Sequence, residues 1–332
     1  MNDRDDSSLA FQELQPDDIL DTLESLGFEC NGRMLALNSY ENRVYQVGIE
    51  GGAPVVAKFY RPGRWSDDAI EEEHEFAAEL AGAEIPVVAP LCINGATLHR
   101  HGPFRVSVSP CHGGRAPELD NDDLLRQIGR LVARIHLQGE RSTFRARPRV
   151  DIDSYGSDSV DYLLDHRFIP QELEGVYLGI AEHLLDNIEA AFDRAGSVQE
   201  LRLHADFHPG NVLVQEDRVH IVDLDDARSG PAVQDLWMFL SGDRDEQTPQ
   251  LATLLEGYQE FRQFNARELH LVEALRSLRM MHYAAWLARR WADPAFKQAF
   301  PWFNSRRYWD EQILTLREQT ALVQESPLAW YA

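Results

Sequence analysis

The sequence predicts an α+β chain of two lobes, a small β-rich one followed by a larger, mainly helical one. Three observations carry that expectation. The chain has 332 residues, enough for about two domains at roughly 100–200 residues each. Short apolar or alternating runs crowd the first third, and apolar residues at helical spacing dominate the rest. The 44% hydrophobic and 26% charged composition is that of a globular chain.

In chain order, residues 1–14 are polar and acidic and read as a loose leader. A helix is expected from Pro16 to about Leu26. Pro16 suits a first turn, Asp17 and Asp18 oppose the positive helix end, and Ile19, Leu20, Leu23 and Leu26 share a face. Runs at 33–37, 43–47 and 55–59, divided by 38–42 and by Gly51-Gly52, read as a three-strand meander. A helix over about 67–81 and apolar runs near 91–93 and 104–109 complete a lobe of about five strands. Pro110-Cys111-His112-Gly113-Gly114 has linker chemistry, which sets the lobes at 1–111 and 112–332. Beyond it, 124–136 and 178–194 are helical. Asn265-Ala-Arg-Glu268 reads as a capping box opening a helix that ends before Asp293-Pro294. Within the helical half, 211–224 reads as a hairpin turning at Glu216-Asp217.

Thirty-two basic residues against 55 acidic ones leave a net charge of −23. Such a surface repels a phosphate backbone, so nucleic acid is excluded as the main partner. No run approaches the roughly 18 apolar residues that span a bilayer, and the start lacks the basic-then-apolar order of a signal peptide. Three cysteines, odd in number and without metal-ligand spacing, fit no disulfide framework and suit a reducing cytoplasm.

The chemistry concentrates in His204-Ala-Asp-Phe-His-Pro-Gly-Asn211 and, after the hairpin, Asp223-Leu-Asp-Asp226. One carboxylate precedes an amide by five residues, and a second follows the amide by twelve. Phosphoryl transfer asks for such a set: one carboxylate takes or orients the proton of an attacking hydroxyl, while an amide oxygen and another carboxylate hold Mg²⁺ against nucleotide phosphates. Upstream, Lys58 closes the apolar run Val55-Val56-Ala57-Lys58-Phe59-Tyr60 and precedes a helix with Glu71-Glu72-Glu73. That order suits an ion pair aiming an ammonium at phosphates; the bland alternative is a snorkelling surface lysine.

His204-x-Asp206-x-His208-x-x-Asn211, Asp223, and Gly230-Pro231-x-x-x-Asp235-Leu236 resemble the aminoglycoside phosphotransferase and choline kinase branch of the protein-kinase-like fold. Within it, Asn38-Ser-Tyr-Glu-Asn-Arg-Val-Tyr45, Lys58-Phe-Tyr-Arg-Pro, Val222-Asp-Leu-Asp-Asp-Ala-Arg228 and Trp286-Leu-Ala-Arg-Arg-Trp-Ala-Asp-Pro-Ala-Phe296 resemble the bacterial stress response kinase A family. The resemblance runs from about residue 10 to 320. It implies a bilobal, cytoplasmic, ATP- and Mg²⁺-dependent serine/threonine protein kinase acting in stress survival on a protein acceptor, for which the chain itself is one candidate; a monomer is expected. The rival acceptor is a small hydroxylated metabolite of the choline, homoserine or aminoglycoside kind.

Carried over by position, Asp206 is the catalytic base, and Asn211 and Asp223 bind Mg²⁺, with Asp223 also catalytic. Ser39 and Lys58 meet the ATP phosphates, and Glu73, ahead of Glu72, partners Lys58. The pattern departs at Ala205, where the family has glycine; at loop 38–42, which contains no glycine; and at His208, where eukaryotic protein kinases have lysine. Asp225 and Asp226 are read either as helpers of metal or substrate or as structural. Asp235 is read as a cap or brace, His204 as a packed core histidine, and His208 either as a phosphate contact or as a loop-fixing group. Trp286, Trp291, Trp302 and Phe303 are read as core before groove, and Cys111 as a group near the adenine.

Overall fold

The structure, a computed structural model, describes residues 11, 14–216 and 218–330, so most of the expected leader and Asp217 lie outside the described residues. It divides into two compact units. The first takes the chain up to Pro117 together with Phe144–Arg147 and Pro209–Ala227; the second takes Glu118–Thr143, Pro148–His208 and the chain from Arg228 onward.

The first unit is built on an antiparallel five-stranded sheet in the order β1-β2-β3-β5-β4, with β1 Cys30–Ala36, β2 Arg43–Ile49, β3 Val55–Tyr60, β4 His99–His101 and β5 Phe104–Pro110. Alternation along β3 decides what each face carries. Val55, Ala57 and Phe59 join Val47, Val106 and Val108 in a core that also takes Ile19 and Leu23 of α1 (Pro16–Ser25). Lys58, between them, points to the other face, where α2 (Asp67–Gly82) brings Glu73. The fifth strand is not the expected run at 91–93. Asn94 (φ 53°) and Gly95 (φ 83°) turn the chain there, so Ile93 makes only an isolated bridge with Ala96, and pairing resumes at His99. The hairpin of β7 (Val212–Gln215) and β8 (Arg218–Ile221) forms as expected and packs within this unit, Val88 donating its N–H to Ile221 at 2.9 Å.

The second unit is helical around a short antiparallel ladder, β6 (Leu201–Leu203) with β9 (Arg228–Gly230). Helices α3 (Asp122–Gly139) and α6 (Arg244–Gln259) touch backbone to backbone. A Cβ on Gly129 would stand 2.0 Å from the Leu254 carbonyl oxygen, and one on Gly257 2.0 Å from that of Arg126. Helices α4 (Asp158–Asp165), α5 (Gln171–Ala195), α7 (Val272–Arg290), α8 (Pro294–Ala299) and α9 (Arg306–Leu322) complete it. The expected capping box at Asn265 is half made. Asn265 accepts from Arg267 N at 3.2 Å, but Glu268 turns inward to accept from Val233 N at 2.9 Å, and the first turn is 3₁₀ before α7 begins.

Candidate active site

Each unit carries candidate site residues of its own. In the first, a cavity of about 320 Å³ has apolar walls including Leu37, Val56, Val88, Leu213 and Val222, and a polar end with Ser39, Lys58, Glu73, Asn211 and Asp223. All five nucleotide- and metal-site residues expected from the sequence thus line one cavity.

Lys58 Nζ is 3.5 Å from Glu73, 3.3 Å from Asp223 and 2.9 Å from Asp225. Burial works against its charge, but Asp225 and Glu73 outweigh burial and hold the ammonium well above its ordinary pKa. Burial also pushes the Glu73 carboxyl up, against the pull of Lys58. Glu72 is engaged elsewhere, accepting from the backbone N–H groups of Arg145, Ala146 and Arg147 at 2.7–3.1 Å.

Asp225 is gripped from two sides, by Lys58 and by the Arg64 guanidinium, which also meets Asp226 at 2.6 Å. Burial alone would raise the Asp225 carboxyl; Arg64 and then Lys58 pull it below the ordinary carboxylate range. Its side chain is 5% exposed, whereas that of Asp223, set in the left-handed region at φ 62°, is 55% exposed. Asp223 and Asn211 are hard oxygen donors on the same cavity wall, the donor chemistry that Mg²⁺ takes when substrate phosphates supply its other ligands. Among the described residues there is no cluster of three His, Cys, Asp or Glu that would cage a metal by itself.

The glycine-free loop 38–42 is fixed by a residue that sequence reasoning missed. Arg61, 1% exposed, donates its backbone N–H to Asn42 Oδ1 at 3.0 Å and its Nε to the Glu41 carbonyl at 2.9 Å. Arg64 and Arg147 were missed as well. Arg147 is buried, donates to the Ala227, Asp225 and Ala69 carbonyls, and lies 3.7 Å from Glu73. Nothing local to these arginines signals a partner; each acts on residues far away in sequence. Burial pushes the Cys111 thiol up, which opposes a reactive role.

In the second unit, β6 leads into the loop carrying Asp206. Asp235 braces this loop, accepting from His204 N at 3.0 Å, Ala205 N at 2.7 Å and the His136 ring at 3.2 Å. It thus acts as the brace that was one of its expected roles. His204 is buried and its ring packs against Phe207, centroids 5.1 Å apart. Ala205 sits at φ 65°, where a side chain costs about 1–2 kcal/mol, and Gln234 donates to its carbonyl at 2.7 Å. Asp206 meets Arg279 of α7, Oδ1 to Nη1 2.5 Å, and His208 Nε2 at 3.5 Å. Of the expected core aromatics Phe303 is buried, Trp286 and Trp291 are half-buried, and Trp302 is exposed.

A β-sheet unit with a buried lysine–glutamate pair over a metal-competent carboxylate, followed by a helical unit with a braced aspartate loop, defines a phosphotransferase of the protein-kinase-like class. Residues 34–278 match the phosphotransferase enzyme family, APH, and the chain belongs to it. It is 44% identical over 322 residues to stress response kinase A of Escherichia coli strain K12, covering 97% of each chain. It is 43% identical over 323 residues to the serine/threonine protein kinase RdoA of Salmonella typhimurium, covering 97% of this chain and 98% of the relative. In fold it resembles amicoumacin kinase hAmiN, solved with AMP-PNP, Ca²⁺ and its ligand Ami, with TM-score 0.73 at 18% identity over 99% of this chain and 98% of the other.

Proposed function

We propose that this phosphotransferase moves the γ-phosphate of MgATP to a serine or threonine hydroxyl of a protein, as the names of its 43–44% identical relatives suggest. The observation that carries the reading is Lys58 bound by Glu73 and Asp223 at the polar end of a cavity of nucleoside size. In this assignment Ser39 and Lys58 meet the phosphates and Glu73 aims Lys58. Asn211 and Asp223 hold Mg²⁺, which when bound offsets phosphate charge. Asp206 takes the proton of the acceptor hydroxyl as its oxygen bonds to phosphorus and ADP leaves, a role worth about 10²–10⁴-fold in rate. A cytoplasmic setting, where ATP is at hand and three free cysteines stay reduced, goes with this reading.

The test is transfer of labelled γ-phosphate by wild type and Asp206→Asn, offered protein acceptors and, separately, small hydroxyl compounds. Label in protein that vanishes with Asp206→Asn supports the proposal. Asp206-dependent label only in small compounds replaces it with a metabolite kinase. Undiminished transfer by Asp206→Asn overturns the base assignment.

A further inference from the structure

Phe11 lies ahead of residues 34–278, the part of the chain that matches the family, yet its contacts lead to the loop that carries Ser39. Its ring stacks on Phe104 of β5, centroids 6.2 Å and planes 5° apart, against the core of the first unit. Two guanidinium groups stand over the same ring, Arg43 at 4.8 Å and Arg61 at 5.4 Å from its centroid, within cation–π range. Both cations hold loop 38–42. Arg43 Nη1 donates to the Asn42 carbonyl at 3.4 Å. Arg61 donates Nε to the Glu41 carbonyl at 2.9 Å and Nη2 to the Tyr40 carbonyl at 3.4 Å. Three successive carbonyls of the loop are thus bound by cations that share one aromatic ring. Ser39, the next residue back, lines the polar end of the cavity. The Glu41 carboxylate lies 3.1 Å from Arg61 and 3.9 Å from Arg64, which bridges Asp225 and Asp226, so the loop is also tied to the partners of Lys58.

We propose that Phe11 is a positioning residue of the nucleotide site, its ring holding Arg43 and Arg61 where they fix loop 38–42 for the phosphates. The inference rests on the nucleotide reading of the cavity and adds to it a residue outside the family-matching segment. Two guanidinium groups drawn to one short loop repel each other. Glu41 faces Arg61, and the negative face of the ring steadies both cations without adding a second carboxylate that would repel phosphate. The loop contains no glycine, and ordering it beforehand removes a cost that phosphate binding would otherwise carry. Packing on Phe104 alone asks only for an apolar side chain, which leucine supplies. Holding two guanidinium groups asks for a π face, which leucine lacks.

The experiment is equilibrium binding of MgATP and of adenosine to the full-length protein, as wild type, Phe11→Leu and Phe11→Tyr. Phe11→Leu is expected to weaken MgATP about five- to ten-fold and to leave adenosine unchanged, because the apolar walls are untouched. Phe11→Tyr keeps the π face and binds both as wild type does. Arg43→Gln removes one of the two cations; combined with Phe11→Leu it is expected to lose less MgATP affinity than the product of the single losses. Wild-type MgATP affinity in Phe11→Leu, or an equal loss for adenosine, overturns the inference and leaves the nucleotide reading standing. So does a loss in Phe11→Tyr as large as in Phe11→Leu, or single losses that simply multiply in the double variant. Wild-type protein that binds neither MgATP nor adenosine overturns the nucleotide reading and the inference with it.

Discussion

Lys58 stands closer to Asp225, at 2.9 Å, than to Glu73, the partner expected from the sequence, at 3.5 Å, or to Asp223, at 3.3 Å. Two neighbouring aspartates therefore do different work. Asp225 is buried between Lys58 and Arg64, and Asp223 is half-exposed on the cavity wall. Asp225→Ala leaves two cations without their shared counter-charge, and stability is expected to fall by about 3–5 kcal/mol. Asp223→Ala is expected to cost less than about 1 kcal/mol while weakening Mg²⁺-dependent ATP binding. Urea unfolding of both variants, with nucleotide titrations with and without Mg²⁺, separates them. An Asp225→Ala protein as stable as wild type would break the assignment.

Asp235 joins three parts of the second unit, the N–H groups of His204 and Ala205 and the His136 ring, at 2.7–3.2 Å. Replacing it by alanine leaves those buried donors without their acceptor, at about 1–3 kcal/mol each. Asp235→Ala is expected to lower both stability and kcat, with KM for ATP nearly unchanged because the cavity residues belong to the first unit. Asp235→Asn, which keeps one acceptor oxygen, falls between the two. Wild-type kcat in a folded Asp235→Ala protein is the contrary result.

What the sequence made legible and what it hid follow from distance along the chain. Lys58 is marked by its strand, and Asp206, Asn211 and Asp223 by their spacing within twenty residues, so each could be found locally. Arg64 acts on Asp225 from 161 residues away, Arg147 on Ala227 from 80, and Arg61 on Glu41 across two strands. No periodicity or motif encodes those pairings; only the folded chain does. The misplaced fifth strand has a similar origin. The run 91–93 is apolar enough for a strand, but the Asn94-Gly95 turn uses it up as a single bridge. Glu268 likewise fits a capping box by spacing and is claimed instead by Val233.

Ala205→Gly tests whether the left-handed backbone of the aspartate loop is strained. Alanine at φ 65° costs about 1–2 kcal/mol, and glycine gives back part of that gain as extra freedom in the unfolded chain. The variant is expected to be more stable by about 0.5–1 kcal/mol in urea. Equal or lower stability would mean that the buried methyl's packing outweighs the strain.

Glu268 gives the protein a definite pH dependence. It is buried, and burial pushes its carboxyl from 4.5 up to about 7 despite the bond from Val233 N. Below pH 4.5 the group is protonated in both folded and unfolded chains and contributes no difference. As pH rises through this window the unfolded chain ionises first. By about pH 7 the folded protein holds a charge that burial disfavours, and this group's contribution has fallen by about 3 kcal/mol. Glu268→Gln keeps an acceptor for Val233 and removes the charge. Its melting temperature is therefore expected to rise relative to wild type by several degrees at pH 8 and by little at pH 5. A difference between the two proteins that is the same at both pH values would show that Glu268 titrates normally in the fold. A gain at pH 8 would also bear on catalysis. Val233 and Asp235 share one 3₁₀ turn, so the carboxyl that Val233 bonds steadies the brace of the Asp206 loop.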